Sequence, residues 1–181
     1  MIRRLRELSP TRNHSNLSGQ GTLGEFGYWS GMTTETLSRP ARILGYAGLL
    51  PQAISLVLLL QGGEWGFIAL AGGFAYAAII FSFLGGVWWG QALLARRGDA
   101  IVYLIAVLPS LLALALFLPW TFGWQWPEPQ LLCLGVLIAL SPCIDRWLGL
   151  SDTVFMRLRW HLSLGLGTLT AALGLIGIEP V

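Results

Sequence analysis

The sequence predicts an all-α, polytopic membrane bundle of five transmembrane helices, with the N-terminus in the cytoplasm and the C-terminus outside. Three observations predict it. The chain is 55% hydrophobic and only 11% charged, whereas a water-soluble domain carries about 25% charged residues to keep its surface hydrated. Five apolar runs reach, or nearly reach, the roughly 20 helical residues that cross a hydrocarbon core of about 30 Å. All eleven basic residues are arginines, and every one falls on the same side of the resulting topology.

Residues 1–40 are polar, rich in Gly and Ser, and lack a sustained apolar period. Such a segment cannot bury enough surface to order itself and reads as a disordered tail. Its start, Met1-Ile2-Arg3-Arg4-Leu5-Arg6, is basic but has no apolar stretch after it, which counts against a secretory signal. Glu7, Glu25 and Glu35 count against a mitochondrial transit peptide. Met32 is an alternative natural start, because Met32-Thr33-Thr34-Glu35 leads straight into the first apolar run.

The five-helix domain is expected over 41–179, with spans near 41–60, 67–92, 101–119, 130–148 and 160–178. The fourth is short in its purely apolar part, Leu131 to Ile144, and reaches spanning length by carrying Asp145 and Arg146 into the interface. Helices follow from the need to satisfy backbone groups within each segment in lipid. The period-two alternation of a membrane β-barrel is absent. Pro51, Pro109 and Pro142 interrupt three spans. Each removes a backbone donor and bends its helix. Bends of this kind line cavities in transporters, and in other bundles neighbouring side chains fill them.

Orientation comes from charge. Arg3, Arg4, Arg6, Arg12, Arg39 and Arg42 precede or open the first span, Arg96 and Arg97 follow the second, and Arg146, Arg157 and Arg159 lie between the fourth and fifth. The other side receives Glu64, Glu128, Glu179 and no arginine. The positive-inside bias makes the arginine side cytoplasmic. Tryptophans mark both interfaces: Trp65, Trp120, Trp124 and Trp126 at the outer ends, Trp88, Trp89, Trp147 and Trp160 at the inner ends. Cys133 and Cys143 are ten residues apart in one span, about 15 Å on a helix. A disulfide needs Cα atoms within about 7 Å, so both are expected to be buried free thiols.

The second span is the most distinctive. Ala75, Ala78, Ser82, Gly86 and Gly90 recur at three- and four-residue spacing, with Gly85 beside them, and Gly86 and Gly90 form a GxxxG pair. Small residues let another backbone approach, which is how helices associate where the hydrophobic effect gives no drive. This helix is expected to be the packing centre of the bundle, with a dimer or partner interface and a ligand groove as alternatives. Tyr76, Ser82-Phe83-Leu84-Gly85-Gly86 and Trp89-Gly90 also resemble the signature of the family known as domain of unknown function 3429, which includes eukaryotic transmembrane protein 69. The resemblance extends from about Arg42 to Gly174 and takes in Gly48-Leu49-Leu50-Pro51, Asp145 and Leu158-Arg159. It implies a small multi-helix membrane protein and brings no activity with it. Trp88 stands where many members are expected to carry His.

No span carries an ionisable residue at mid-membrane depth, where charge is costly. This argues against a carboxylate proton relay. The cytoplasmic face gathers Asp145, Arg146, Asp152, Arg157, Arg159 and His161. Asp145 is positioned to pair with Arg159 across the base of the last two spans, and His161 to join the arginines around a phosphate. Ordinary ion pairing and attachment to anionic headgroups explain the same residues. Two histidines, one in the tail, offer no metal-ligand spacing. Neither a cofactor motif nor a catalytic motif is present, and short juxtamembrane arginine groups do not make a nucleic-acid face.

The leading expectation is a non-enzymatic protein that acts by helix association, as an accessory subunit, assembly factor or membrane organiser. Its partners would be the lipid bilayer and another membrane protein or further copies of itself. A transporter or channel for a small neutral or lipidic solute is the alternative, and a lipid-headgroup enzyme the second. The expected location is the bacterial inner membrane, with the mitochondrial inner membrane as alternative.

Overall fold

Glycine and proline divide the first apolar run into two helices. The computed structural model describes residues 38–124, 127–149 and 153–178; most of the expected polar tail, with Met32, lies outside them, as do Trp126, Asp152 and Glu179. The described elements are α1 (Arg39–Ala47), α2 (Leu50–Gln61), α3 (Trp65–Leu94), α4 (Ala100–Thr121), α5 (Glu128–Leu148) and α6 (Thr153–Ile178). Taken as one stretch, α1 and α2 make a span over Arg39–Gln61. Five stretches are therefore long and apolar enough to cross a membrane. The described residues contain no strand.

Pro51 sits in the first turn of α2, where its missing N–H costs nothing to the new helix but leaves the Ala47 carbonyl without the donor a continuous helix would supply. The chain turns at Gly48 and Leu49 instead. Gly62 and Gly63 have φ of 70° and 79°, a backbone that favours glycine, and they end α2 and redirect the chain into α3. Pro109 and Pro142 lie inside α4 and α5, which run through them as helices, and both rings are fully buried.

The outside of the bundle is apolar and much of its polar chemistry is inside. Leu50, Ile54, Val57 and Leu60 face outward along α2 at helical spacing. Gln52, Ser141, Asp145, Arg159, Ser163 and Thr170 are buried. That inversion suits a surround that cannot hydrogen-bond. It also corrects two expectations. Cys133 and Cys143 are free thiols but exposed on the outer face of α5, not buried. Trp88 is 1% exposed and belongs to the core, whereas its neighbour Trp89 faces outward with Trp65, Trp120, Trp124 and Trp147. Successive helical residues point about 100° apart, so of two adjacent indoles only one can meet the interior.

α3 packs against α2, α4, α5 and α6, with Phe74, Ala77, Phe81, Leu84 and Trp88 on its buried face. α5 and α6 share the largest interface, and there the backbones touch. A Cβ added to Gly135 would lie 2.7 Å from the Gly167 carbonyl oxygen, and one added to Gly167 would lie 2.7 Å from that of Gly135. Farther along, a Cβ on Gly174 would lie 2.8 Å from the Glu128 carbonyl oxygen. Small residues at these crossings allow a helix separation that no side chain would permit.

Candidate functional site

The alternation of spans brings the start of α1, the end of α3, the end of α5 and the start of α6 to one end of the bundle, and with them Arg39, Arg42, Arg96, Arg97, Arg146, Arg157 and Arg159. Just inside this end lies a buried polar centre. Asp145, in the last turn of α5, accepts from three donors. Arg159 Nε donates to Oδ2 at 2.5 Å, Arg159 Nη2 donates to Oδ1 at 3.3 Å, and Trp88 Nε1 donates to Oδ1 at 2.5 Å. Asp145 is 1% exposed and Arg159 7%. The guanidinium fork matches the carboxylate and cancels its charge. The indole adds a donor from a third helix, so α3, α5 and α6 are held at one point.

A second set of contacts satisfies a carbonyl that proline leaves open, another at a helix break, and polar side chains deeper in the bundle. Pro142 cannot donate to the Ile138 carbonyl one turn back. The preceding residue does so with its side chain: Ser141 Oγ donates to Ile138 O at 2.8 Å and also lies 3.2 Å from Ser163 Oγ on α6. At the α1–α2 break the Tyr76 hydroxyl donates to the Gly48 carbonyl. Deeper in the bundle, Gln52 Nε2 donates to Thr170 Oγ1 at 3.0 Å, and Thr170 in turn donates to the Leu166 carbonyl at 2.8 Å. Gln52 Oε1 is buried without a hydrogen-bond partner.

The six residues expected to cluster at this end divide. Asp145 and Arg159 meet as expected, but inside the protein and not at its surface. Arg146 and Arg157 are exposed, and Asp152 lies outside the described residues. His161 is also exposed and turns to α1, with Nδ1 3.3 Å from the Tyr46 hydroxyl. Among the described residues no group of three or more His, Cys, Asp or Glu side chains is placed to hold a metal ion.

The small-residue stripe of α3 divides as well. Gly85 makes the internal close approach: a Cβ there would overlap the Ala106 carbonyl oxygen and crowd Pro109 Cγ at 3.2 Å. Gly86 and Gly90, expected to be the close-approach pair, do not serve the packing of this chain, because a Cβ at either meets nothing within 4 Å. Ala75 is exposed, and Ala78 and Ser82 are half-buried. The stripe thus lies largely on the outside, one residue out of register with the face that α3 buries.

Between α1, α3 and α6 the bundle leaves a half-open cavity of about 540 Å³. Its walls are apolar apart from Arg159 and Ser163, and Ile138 of α5 contributes to its lining.

These contacts join residues that carried the sequence resemblance. Gly48 meets Tyr76, and Asp145 meets Arg159. The family described as protein of unknown function (DUF3429) matches residues 37–175. The chain belongs to this family. The match takes in all five spans except the last three residues of α6. No curated protein and no solved structure matches the chain.

In this DUF3429 protein, three contacts have little or no signature in hydropathy. Trp88 has the position of an interfacial indole near a span end, yet its spacing from Phe74, Ala77, Phe81 and Leu84 sets it on the buried face of α3. The crossing of Gly135 with Gly167 is less conspicuous in the sequence than the GxxxG pair. The recurrence of Gly167, Ala171 and Gly174 at three- and four-residue spacing carries the same kind of signal. The pairing of Gln52 with Thr170 joins residues 118 apart, and hydropathy alone has no means of joining them.

Proposed function

We propose that this protein is a multi-pass integral membrane protein that acts by lateral association, as an accessory subunit, assembly factor or membrane organiser. One observation carries the reading: Gly86 and Gly90 leave uncovered backbone on the outer face of α3, with open space where side chains would stand. The same helix anchors the bundle on its other face. Exposed Ile79 and Phe83 flank the uncovered strip. A helix of another protein, or of a second copy, gains close packing there that lipid chains do not match. The arginine-bearing end faces the cytoplasm in this reading, by the positive-inside bias.

The rival readings find less support. Asp145 is enclosed by Trp88 and Arg159, which suits an ion that holds helices together and not an acid or base working on a headgroup. The buried Ser, Thr and Gln side chains form two separate pairs, Gln52 with Thr170 and Ser141 with Ser163, where a solute path needs a continuous polar line.

The test is Gly86→Leu combined with Gly90→Leu, in protein extracted from its own membrane in native lipid discs. The reading expects the variant to insert and melt as the wild type does while its assembly with partner or second copy is lost. Unchanged assembly in a folded variant overturns it.

A further inference from the structure

The cavity between α1, α3 and α6 is apolar except at Arg159 and Ser163, and those two side chains decide what fits it. We infer that it holds one ester-linked glycerophospholipid from the leaflet at the arginine-bearing end, with an ester carbonyl accepting from Arg159 and the acyl chain lying along the groove. The inference does not rest on the association reading. The groove shares Phe83 with the edge of the Gly86–Gly90 strip, and the test leaves that residue unchanged.

The spare donors of the groove belong to one side chain. A guanidinium carries five N–H donors. Arg159 spends Nε and Nη2 on Asp145. Nη1, at the corner of the plane away from the carboxylate, has no hydrogen-bond partner among the described residues. Arg159 is nearly buried, and a donor kept from water without an acceptor is costly. Ser163 supplies no donor to the groove. The Ser141 hydroxyl gives its proton to the Ile138 carbonyl, so the Ser163 hydroxyl gives its own to Ser141. Every other lining side chain is apolar. The site therefore asks for an acceptor. Asp145 already cancels the guanidinium charge, so a neutral carbonyl oxygen meets the need without bringing an unpaired negative charge into an apolar groove.

Depth and lining name the owner of that carbonyl. The last span, Phe155–Ile178, has 24 residues and is about 36 Å long at 1.5 Å per residue. A hydrocarbon core of about 30 Å centred on it begins about two residues in, near Arg157. Arg159 thus stands where the glycerol esters of a phospholipid meet the hydrocarbon. From there the groove continues to Leu166, about 10 Å deeper. Its walls over this stretch are aliphatic and include Leu49, Leu84 and Leu162, which suits an acyl chain. The open side lets the rest of the lipid stay in the bilayer.

The purified full chain is reconstituted in vesicles holding ester-linked and ether-linked phosphatidylcholine in equal amounts, and the lipid it retains in detergent is read by native mass spectrometry. The ether analogue keeps the headgroup and both chains but lacks the carbonyls. The wild type is expected to retain one lipid and to favour the ester form on the order of tenfold, the worth of a hydrogen bond from a charged donor. Arg159→Lys keeps a charge for Asp145 but offers one nitrogen in place of the fork. With that nitrogen engaged by Asp145, the variant should retain lipid and lose the preference. Val87→Trp, which fills the groove from α3, should retain neither form. Equal retention of the two forms by the wild type, as when water serves Nη1, overturns the proposal, and so does retention of neither. An ester preference that survives Arg159→Lys, or lipid retention that survives Val87→Trp, overturns it as well. Where either variant fails to fold, the wild-type comparison still decides.

Discussion

The indole nitrogen of Trp88 donates to Asp145 at 2.5 Å, on the carboxylate that Arg159 grips from the other side. This arrangement explains how a chain with little charge keeps an ion pair inside. Breaking a buried pair leaves an uncompensated charge, which costs about 3–5 kcal/mol. Replacing both partners by apolar residues of similar size is often neutral.

Asp145→Leu alone, or Arg159→Met alone, is therefore expected to destabilise the bundle by about 3–5 kcal/mol. Asp145→Leu with Arg159→Met should recover most of that loss. Thermal unfolding in detergent, followed by size-exclusion recovery, measures all four proteins of the cycle. A double variant as unstable as the sum of the singles would show that the two side chains act independently and that their pairing is not what holds the helices.

Trp88→Phe keeps the ring in the core and removes one donor from Asp145. The expected loss is about 1–3 kcal/mol, that of a hydrogen bond to a charged group. A loss below 0.5 kcal/mol in the same assay would show that the indole fills space and contributes no bond.

Two adjacent glycines should respond in opposite ways. Gly85→Leu drives a side chain into the Ala106 carbonyl and Pro109 and should prevent α3 and α4 from packing. Gly86→Leu projects into open space and should leave the melting temperature of the isolated protein near that of the wild type. The rotation of α3 described above is wrong if the two behave alike.

Gln52→Leu removes an amide whose Oε1 has no partner, and Thr170 keeps its bond to the Leu166 carbonyl. Because an unsatisfied buried acceptor is costly, the variant is expected to be as stable as the wild type or about 1 kcal/mol more so. A marked loss of stability would show that the bond from Gln52 to Thr170 outweighs the cost of the unsatisfied Oε1.

The spans were legible in the sequence because hydropathy and chain length act locally, and residues 39–61 satisfy both even though Gly48 and Pro51 split the helix. Asp145 and Arg159 were legible as a pair because they stand at the base of consecutive helices. Their burial was not, since that depends on how Trp88 closes over them from a helix 57 residues earlier. Helix rotation was the information most lacking. Trp88 and Trp89, or Gly85 and Gly86, differ by one residue in sequence and by the whole difference between core and exterior in space. The cavity was also invisible, because it exists only where α1, α3 and α6 fail to meet fully.

The most direct test of lateral association is to extract the protein from its own membrane in native lipid discs and identify everything that accompanies it by mass spectrometry. The account predicts a stoichiometric protein partner or a second copy of this chain, lost when Gly86 and Gly90 are both replaced by leucine. A wild-type chain that emerges alone, carrying only lipid, would contradict it.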